Sequence, residues 1–321
     1  MLEKSGSTHL CEQSVAHSLY ALQYELKDCL LWIVGRKITV GKRWKSDEEM
    51  KFDNVEMVSK SGKPFTLRVP HTQRTDPSTF IVAAHKTGST LLNRITTELS
   101  ERGNLAHVNV ELQMWRQSIS AHDWPDEVYD LLERPGFIFD SFRSLQKLPQ
   151  LVCFETSPKI FLTRDPRDVT VSFYFSALKS HTIPSAQGRV REDMLQARVT
   201  AAQFALETYV LEGEATRILR NMQRIGHYQK QSISAVFFHY EDIVYAKRLW
   251  VAKLAQMLGA DVSDKVINEI ADKNDIRPKD EDPNRHIRQV APGNYKKHLS
   301  TRAESYIKTL YPDLFDPFGY S

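Results

Sequence analysis

The sequence predicts an α/β domain built on a mostly parallel β-sheet flanked by helices. Short apolar runs, each typical of a strand buried on both faces, alternate along the chain with longer segments of helical periodicity. This alternation is usual for parallel sheets, in which a helix connects one strand to the next. Because ligands of such sheets bind beyond the carboxyl ends of the strands, the residues directly after each predicted strand are candidates for a binding site.

Four strands and three helical segments follow from these patterns. The predicted strands are residues 80–84, 136–139, 159–163 and 235–238. The helical patterns cover residues 90–102, 191–224 and 247–259. The third strand leads into a further helix through Asp165 and Pro166, a capping residue followed by proline at the first helical position.

The first part of the chain lacks the alternation of apolar strands and helices that the rest shows. Residues 1–78 are predicted to form an N-terminal extension or small subdomain, so that the main domain covers 79–321. A helical pattern occupies 14–34. Two short β-type runs, 55–58 and 65–69, flank a Ser-Gly-Lys-Pro turn signal and predict a hairpin.

Composition excludes several classes of protein. With 321 residues, of which 41% are hydrophobic, the chain is long enough for one sizeable core. Its net charge of only +3 argues against a nucleic-acid-binding protein, which usually has a strong basic excess or stripe. The three cysteines are widely spaced and form no CxxC pair, which favours a reduced, cytoplasmic setting over a disulfide framework or a zinc site. No early segment resembles a signal peptide or a membrane span.

The first candidate ligand site follows the first predicted strand, where residues 85–92 read HKTGSTLL and lead into a helix. A strand–loop–helix turn with a glycine and several hydroxyls suits a phosphate, since backbone N–H groups and the helix dipole point at it. An ordinary capped turn is the alternative. The loop is not a Walker A motif, because its glycine, Gly88, comes after Lys86 and not directly before it.

Two further basic segments extend the pattern. Residues 164–172 read RDPRDVTVS and follow the third predicted strand. At this position Arg164 could bind a phosphate bidentately, and Ser172 could add a hydroxyl. Residues 288–299 read RQVAPGNYKKHL. By itself this last segment is better explained as an ordinary basic loop before a helix.

Together these segments resemble the sulfotransferase superfamily, and most closely the cytosolic sulfotransferases, over residues 80–299. HKTGSTL matches the family's PKSGTTW-like loop, which binds the 5′-phosphosulfate of 3′-phosphoadenosine 5′-phosphosulfate (PAPS). RDPRDVTVSFY matches the RNxKDxxVSxY-like segment that binds the 3′-phosphate. FFHYEDI matches the FYEDL segment near adenine, and RQVAPGNYK matches the RKGxxGDWK-like closing loop. The donor-binding residues that the resemblance implies are Lys86, Thr87, Gly88, Ser89, Thr90, Arg164, Ser172, Tyr240, Arg288 and Gly293.

The resemblance implies a P-loop-like three-layer domain that uses PAPS as co-substrate and needs no metal. It makes Lys86 the group that stabilises or protonates the oxygen bridging phosphate and sulfate as the bond to sulfur breaks. The sequence departs from the family at Leu91, where the cytosolic enzymes have a tryptophan that stacks on adenine. It also departs at Gln289 and Val290, which replace Lys-Gly in the closing loop.

The general base departs from the family pattern as well. The cytosolic enzymes carry a histidine after the second strand, and the aligned position here is Ser141, which is no base at neutral pH. The neighbouring Asp140 is the predicted catalytic base, because it closes a buried strand at the functional edge of the sheet. A capping role for Asp140 is an equal alternative. The rival bases are Glu111, His107 and His122.

The favoured function is transfer of a sulfuryl group from PAPS to a hydroxyl or amine of a small molecule or glycan. Two alternatives remain: a P-loop kinase of a small metabolite, disfavoured by the missing Walker lysine, and a nucleotide-binding scaffold without catalysis. The acceptor is not identified by the sequence, because specificity lies in loops. Residues 113–135 and 180–198 are predicted to line its pocket, with Trp115, Trp124 and Phe175 as candidate aromatic walls.

Overall fold

A parallel sheet forms the centre of the fold. The structure, a computed structural model, describes residues 50–232, 234–282 and 287–320. Its strands are β1 (Phe52–Val58), β2 (Pro64–Pro70), β3 (Thr79–Ala83), β4 (Ala106–Asn109), β5 (Phe137–Phe142), β6 (Lys159–Thr163) and β7 (Ala235–His239). Strands β1 and β2 pair antiparallel, and the other five form one parallel sheet in the order β4–β5–β3–β6–β7. The predicted fold class is confirmed.

The four predicted strands are present as β3, β5, β6 and β7, and the sheet contains a further strand, β4, that the apolar pattern does not predict. Strand β4 reads Ala-His-Val-Asn and alternates between buried and half-buried positions. It lies at an edge of the sheet, so it lacks the continuous apolar run of a central strand.

Helices connect the parallel strands and cover both faces of the sheet. They are α1 (Ser89–Arg102), α2 (Val110–Arg116), α3 (Asp126–Leu132), α4 (Val152–Thr156), α5 (Pro166–Phe175), α6 (Arg189–Gln203), α7 (Leu206–Leu211), α8 (Thr216–Gln231), α9 (Tyr240–Tyr245), α10 (Lys247–Leu258), α11 (Asp264–Lys273), α12 (Tyr295–His298) and α13 (Thr301–Leu310). A π-helical turn, Ser176–Ser180, extends α5. In the described part of the chain, no helix is long and apolar enough to cross a membrane.

The helix predictions are confirmed in three places and need correction in a fourth. Helices α1 and α10 occupy the predicted segments, and Asp165 caps α5 by accepting a hydrogen bond of 2.8 Å from the backbone N–H of Arg167. The pattern at 191–224 is divided among α6, α7 and α8. The chain is extended at Phe204 and turns through Gly213, whose φ of 86° ends any continuous helix. The predicted helix at 14–34 lies outside the described residues.

Two hydrophobic clusters sandwich the sheet and make it the middle of three layers. Phe80 and Val82 of β3 belong to one cluster, whereas Ile81 and Ala83 belong to the other. Successive side chains of a strand point to opposite faces, so this division requires a layer of apolar helices on each side.

The predicted hairpin is confirmed as β1 and β2, with Val55 opposite Leu67. Phe65, Leu67 and Val69 alternate along β2, are buried, and belong to the same large cluster as Phe80. The hairpin therefore shares the core of the parallel-sheet domain. The proposed division of the chain at residue 78 stays a prediction.

Candidate active site

A cavity of about 460 Å³ lies beyond the carboxyl ends of β3, β5 and β6. It collects most of the donor-site residues that the sequence predicts, although they are far apart in the chain. Those that line it are Lys86, Gly88, Ser89, Thr90, Arg164, Ser172 and Tyr240. Those that lie outside its lining are Thr87, Arg288 and Gly293, and the predicted base Asp140 also lies outside it.

The loop between β3 and α1 forms one wall of the cavity. Thr87 is fully buried and holds the loop together, because its hydroxyl donates a 2.8 Å hydrogen bond to the carbonyl of Ala84. Gly88 has φ of 100°, and a Cβ there would lie 2.5 Å from the ring of Tyr240. Only glycine fits this position. Helix α1 starts at Ser89 without an acidic residue in its first turn, which leaves its positive end open to an anion.

Lys86 occupies the centre of this loop in a left-handed conformation, with φ of 69°. Its ammonium group donates a 3.2 Å hydrogen bond to the hydroxyl of Ser176, in the π-helical turn after α5. Burial, followed by the positive charges of Arg164, Arg288 and Arg143, lowers the pKa of Lys86 to about 8. An anionic ligand would reverse the effect of these charges.

Arg164 directly follows β6, and its side chain lines the cavity. Its guanidinium packs 4.2 Å from the centre of the Tyr240 ring and donates to the carbonyl of Lys86 at 3.3 Å. The carboxylate of Asp168 is 3.7 Å away. The Nε atom of Arg164 is buried and has no hydrogen-bond partner among the described residues. The side chain thus keeps donor capacity for a ligand.

Asp168 fastens the closing loop to α5. Its two carboxylate oxygens accept hydrogen bonds of 2.8 Å from the backbone N–H groups of Gly293 and Tyr295. The side chain is 1% exposed. In the sequence, Asp168 stands out only as one of the charged residues at the start of a predicted helix. Its spacing of four residues from Arg164 is the feature that indicates its position between α5 and the closing loop.

Arg288 lies behind the cavity wall, where it packs 4.6 Å from the centre of the Phe175 ring. It forms an ion pair with Glu281, and Asn294, with its amide oxygen turned towards the guanidinium, accepts from both terminal nitrogens at 2.9 Å. Burial, followed by the charge of Arg164, lowers the pKa of Arg288 to about 10. Two arginines therefore repel each other at this end of the cavity.

An apolar and amide wall lies next to Tyr240. Leu91 and Ile276 line it, and the tyrosine hydroxyl donates to the carbonyl of Val290 at 3.2 Å. Asn274 also lines this part, and its amide oxygen is buried without a hydrogen-bond partner in the described residues. These groups suit a flat heterocycle with a donor edge. Neither Asn274 nor Ile276 belongs to a motif that the sequence shows.

The opposite part of the cavity contains a carboxylate with an unusual pKa. Glu111, in the first turn of α2, accepts a hydrogen bond of 2.9 Å from the backbone N–H of Arg143. Burial raises the pKa of Glu111 to about 7, although this hydrogen bond and the Arg143 charge oppose the shift. Trp115 and His181 line the same part. Trp124, by contrast, is 1% exposed in the core, and Phe175 packs under Arg288.

The predicted base, Asp140, lies in a buried polar cluster and not in the cavity lining. Strand β5 carries one extra residue near Asp140 and Ser141, since Phe80 pairs with Phe139 but Val82 pairs with Phe142. This bulge puts Ser141 in the cavity wall at φ of 76°. The Asp140 carboxylate instead accepts from Asn93 at 2.9 Å and lies 3.4 Å from the ring of His107.

Comparison with known proteins identifies the family of the chain. A family model described as a sulfotransferase domain matches residues 76–307. No curated protein matches the chain. A mouse sulfotransferase, SULT7A1, solved in complex with PAP, is similar in fold, with a TM-score of 0.50 and 15% identity over 76% of this chain and 84% of its own.

Two other solved structures are more distant. Retinol dehydratase in complex with androsterone and PAP has a TM-score of 0.40 and 14% identity, covering 83% of this chain and 90% of its own. The sulfotransferase domain of the Synechococcus PCC 7002 olefin synthase has a TM-score of 0.35 and 15% identity, covering 78% and 98%. The family match extends over more than half of the sequence. The chain therefore belongs to the sulfotransferase family.

Proposed function

We propose that this protein transfers a sulfuryl group from PAPS to a hydroxyl group of an acceptor. The observation that carries the proposal is the convergence of Lys86, Arg164 and Arg288 at one sheet edge, beside an open helix N-terminus. PAPS has two separate anionic ends, the 5′-phosphosulfate and the 3′-phosphate, and this edge offers a cationic site for each. Membership of the sulfotransferase family supports the same donor.

Each group of PAPS is assigned to the residues whose chemistry and position in the cavity suit it. The loop carrying Lys86, Ser89 and Thr90 would hold the 5′-phosphosulfate, because its amides, hydroxyls and ammonium group face the cavity. Arg164, with Ser172 beside it and Arg288 behind it, would hold the 3′-phosphate through charge-assisted hydrogen bonds. Adenine would lie against the wall next to Tyr240.

In the transfer, the acceptor oxygen forms a bond to sulfur while the bond from sulfur to the 5′-phosphate oxygen breaks. Negative charge grows on that phosphate oxygen, and the Lys86 ammonium stabilises it. The acceptor proton must leave as the new bond forms. The products are the sulfated acceptor and the bisphosphate PAP.

Glu111 is our proposed proton acceptor, in place of Asp140. Glu111 lines the cavity and has a pKa near 7, which suits a general base at neutral pH. Asp140 is enclosed by Asn93, Ser141 and His107 and would act by fixing the bulge in β5.

Turnover of PAPS over a panel of hydroxyl acceptors, with a magnesium chelator present, tests the proposed function. Formation of PAP together with a sulfated product is the expected result. Phosphorylation of the same acceptors from ATP, stopped by the chelator, would instead indicate a kinase-type enzyme. PAP binding without turnover of any acceptor would indicate a nucleotide-binding scaffold.

A further inference from the structure

A second cleft lies along the N-terminal half of α8. Its volume is about 420 Å³, and three of its seven lining residues are arginines. Arg217, Arg220 and Arg224 are three and seven residues apart on the helix, so they share one face and extend over about 10 Å along its axis. The remaining lining residues are Gly213, Glu214, Thr216 and Asn221.

The positive charge of this cleft is not compensated. All three arginines are exposed, and in the described part of the chain none of them forms a hydrogen bond or an ion pair. Other exposed arginines do have carboxylate partners, as Arg248 has with Asp272 at 2.9 Å. One glutamate cannot neutralise three arginines, so the cleft attracts anions.

The cleft adjoins the acceptor half of the cavity. The amide of Asn221 donates a 2.7 Å hydrogen bond to the carbonyl of Arg143, whose side chain lines the cavity beside Glu111. The charge of Arg217 also reaches the cavity wall, because it contributes to lowering the pKa of His85. The Arg143 guanidinium is attracted by the carboxylates of Glu111 and Asp140, whereas among the described residues the arginines of the cleft have no carboxylate partner. A cationic track therefore runs from Arg143 outwards along α8.

We propose that Arg143 and the α8 cleft together bind an acidic glycan, one hydroxyl of which reaches Glu111 as the sulfuryl acceptor. This assignment rests on the proposed function, since it names the acceptor class of the same site. The lining combines three arginines with the hydroxyl of Thr216 and the amide of Asn221, which suits a chain that carries both anionic groups and hydroxyls, as an acidic glycan does. An acidic peptide fits less well, because the described lining offers its side chains no apolar pocket.

The test measures binding of a labelled dextran sulfate oligosaccharide to the full-length protein saturated with PAP. Neutral dextran of the same length and a polyglutamate peptide are the comparison ligands. The variant Arg220→Ala/Arg224→Ala removes two charges from the cleft and leaves Arg217, near the cavity, intact. The matched control is Arg102→Ala/Arg302→Ala, which removes two exposed arginines from other helices.

Dextran sulfate should bind, neutral dextran should not, and the cleft variant should lose affinity by on the order of tenfold, against less than about twofold for the control. Equal losses in both variants would overturn the proposal, since binding would then follow net charge alone. Polyglutamate binding as tightly, with the same loss, would replace the glycan by an acidic peptide.

PAP affinity, measured on the same samples, separates this inference from the proposed function. Wild type and both variants should bind PAP equally, because neither pair of arginines belongs to the donor site. If wild type does not bind PAP, the proposed function itself is wrong. If PAP binds and the cleft variant still binds dextran sulfate normally, only the acidic-glycan assignment is wrong.

Discussion

The cationic side chains of Arg143, Arg164 and Arg288 all act electrostatically on Lys86. Burial is the main reason why the pKa of Lys86 falls to about 8 and that of Arg288 to about 10, and mutual repulsion adds to it. A ligand with two anionic ends relieves this repulsion and stabilises the charged forms. The free protein is thus arranged around charges that a donor of this kind would neutralise.

Lys86→Ala should reduce turnover by about a hundredfold or more, since one donor to a developing negative charge is worth ~3 kcal/mol. PAP affinity should fall much less, because Arg164 and the loop amides remain. Steady-state kinetics and calorimetric PAP binding measure the two effects. The matched control is Lys179→Ala, an exposed lysine in the π-helical turn. Normal turnover in Lys86→Ala would remove this lysine from the mechanism.

Glu111→Gln should abolish most turnover and leave PAP affinity nearly unchanged, because the amide cannot accept the acceptor proton. Asp140→Asn should retain substantial turnover and lose thermal stability, since its carboxylate is enclosed in a hydrogen-bonded cluster. The kinetics of both variants, measured side by side, decide between the two carboxylates. An inactive Asp140→Asn variant with an active Glu111→Gln variant would return the catalytic role to Asp140.

The pH profile of kcat/KM should be bell-shaped, with limbs near pH 7 and pH 8. A base is active when deprotonated, so activity should rise with pH through the Glu111 pKa of about 7. Lys86 acts when protonated, so activity should fall through its pKa of about 8. PAP affinity should also weaken above pH 8 in wild type but not in Lys86→Ala. The same alkaline decline of PAP affinity in that variant would contradict the assignment.

At the scale of elements, apolar runs and caps predict the central strands and the helix starts, because burial on both faces leaves a strong signal. The edge strand β4 escapes this pattern since one of its sides is half polar. The extra residue in β5 also leaves no local signal. It determines that Ser141, and not Asp140, lines the cavity, and Asp140 as the base stays a prediction.

Asp168→Asn should weaken PAP binding by on the order of tenfold. The amide keeps one acceptor oxygen but cannot accept from both Gly293 and Tyr295, so the closing loop that carries Arg288 loses an anchor. Calorimetric PAP titration measures the change. The matched control is Asp264→Asn, which removes an exposed charge from the first turn of α11. Equal losses of PAP affinity in both variants would mean that the loss comes from removing a negative charge near a helix N-terminus, and not from loosening the closing loop.

At the scale of the whole molecule, the β1–β2 hairpin contributes to the main core, so Leu67→Ala should lower the stability of the entire domain by about 2–5 kcal/mol. Thermal unfolding should show the β-sheet signal and PAP binding lost together at the lower temperature. Val58→Ala, at a position 58% exposed, is the control. A hairpin that melts before the PAP site is lost would instead define an independent N-terminal subdomain.

We propose that this sheet edge binds both anionic ends of PAPS. A comparison of the calorimetric affinities for PAP and for adenosine 5′-phosphate, which lacks the 3′-phosphate, tests the binding of the 3′-phosphate. Wild type should prefer PAP by about tenfold or more, since charge-assisted hydrogen bonds contribute ~1.5–3 kcal/mol each. Arg164→Ala and Arg288→Ala should each lose most of that preference while binding adenosine 5′-phosphate almost normally. Equal affinity of wild type for the two nucleotides would contradict the account.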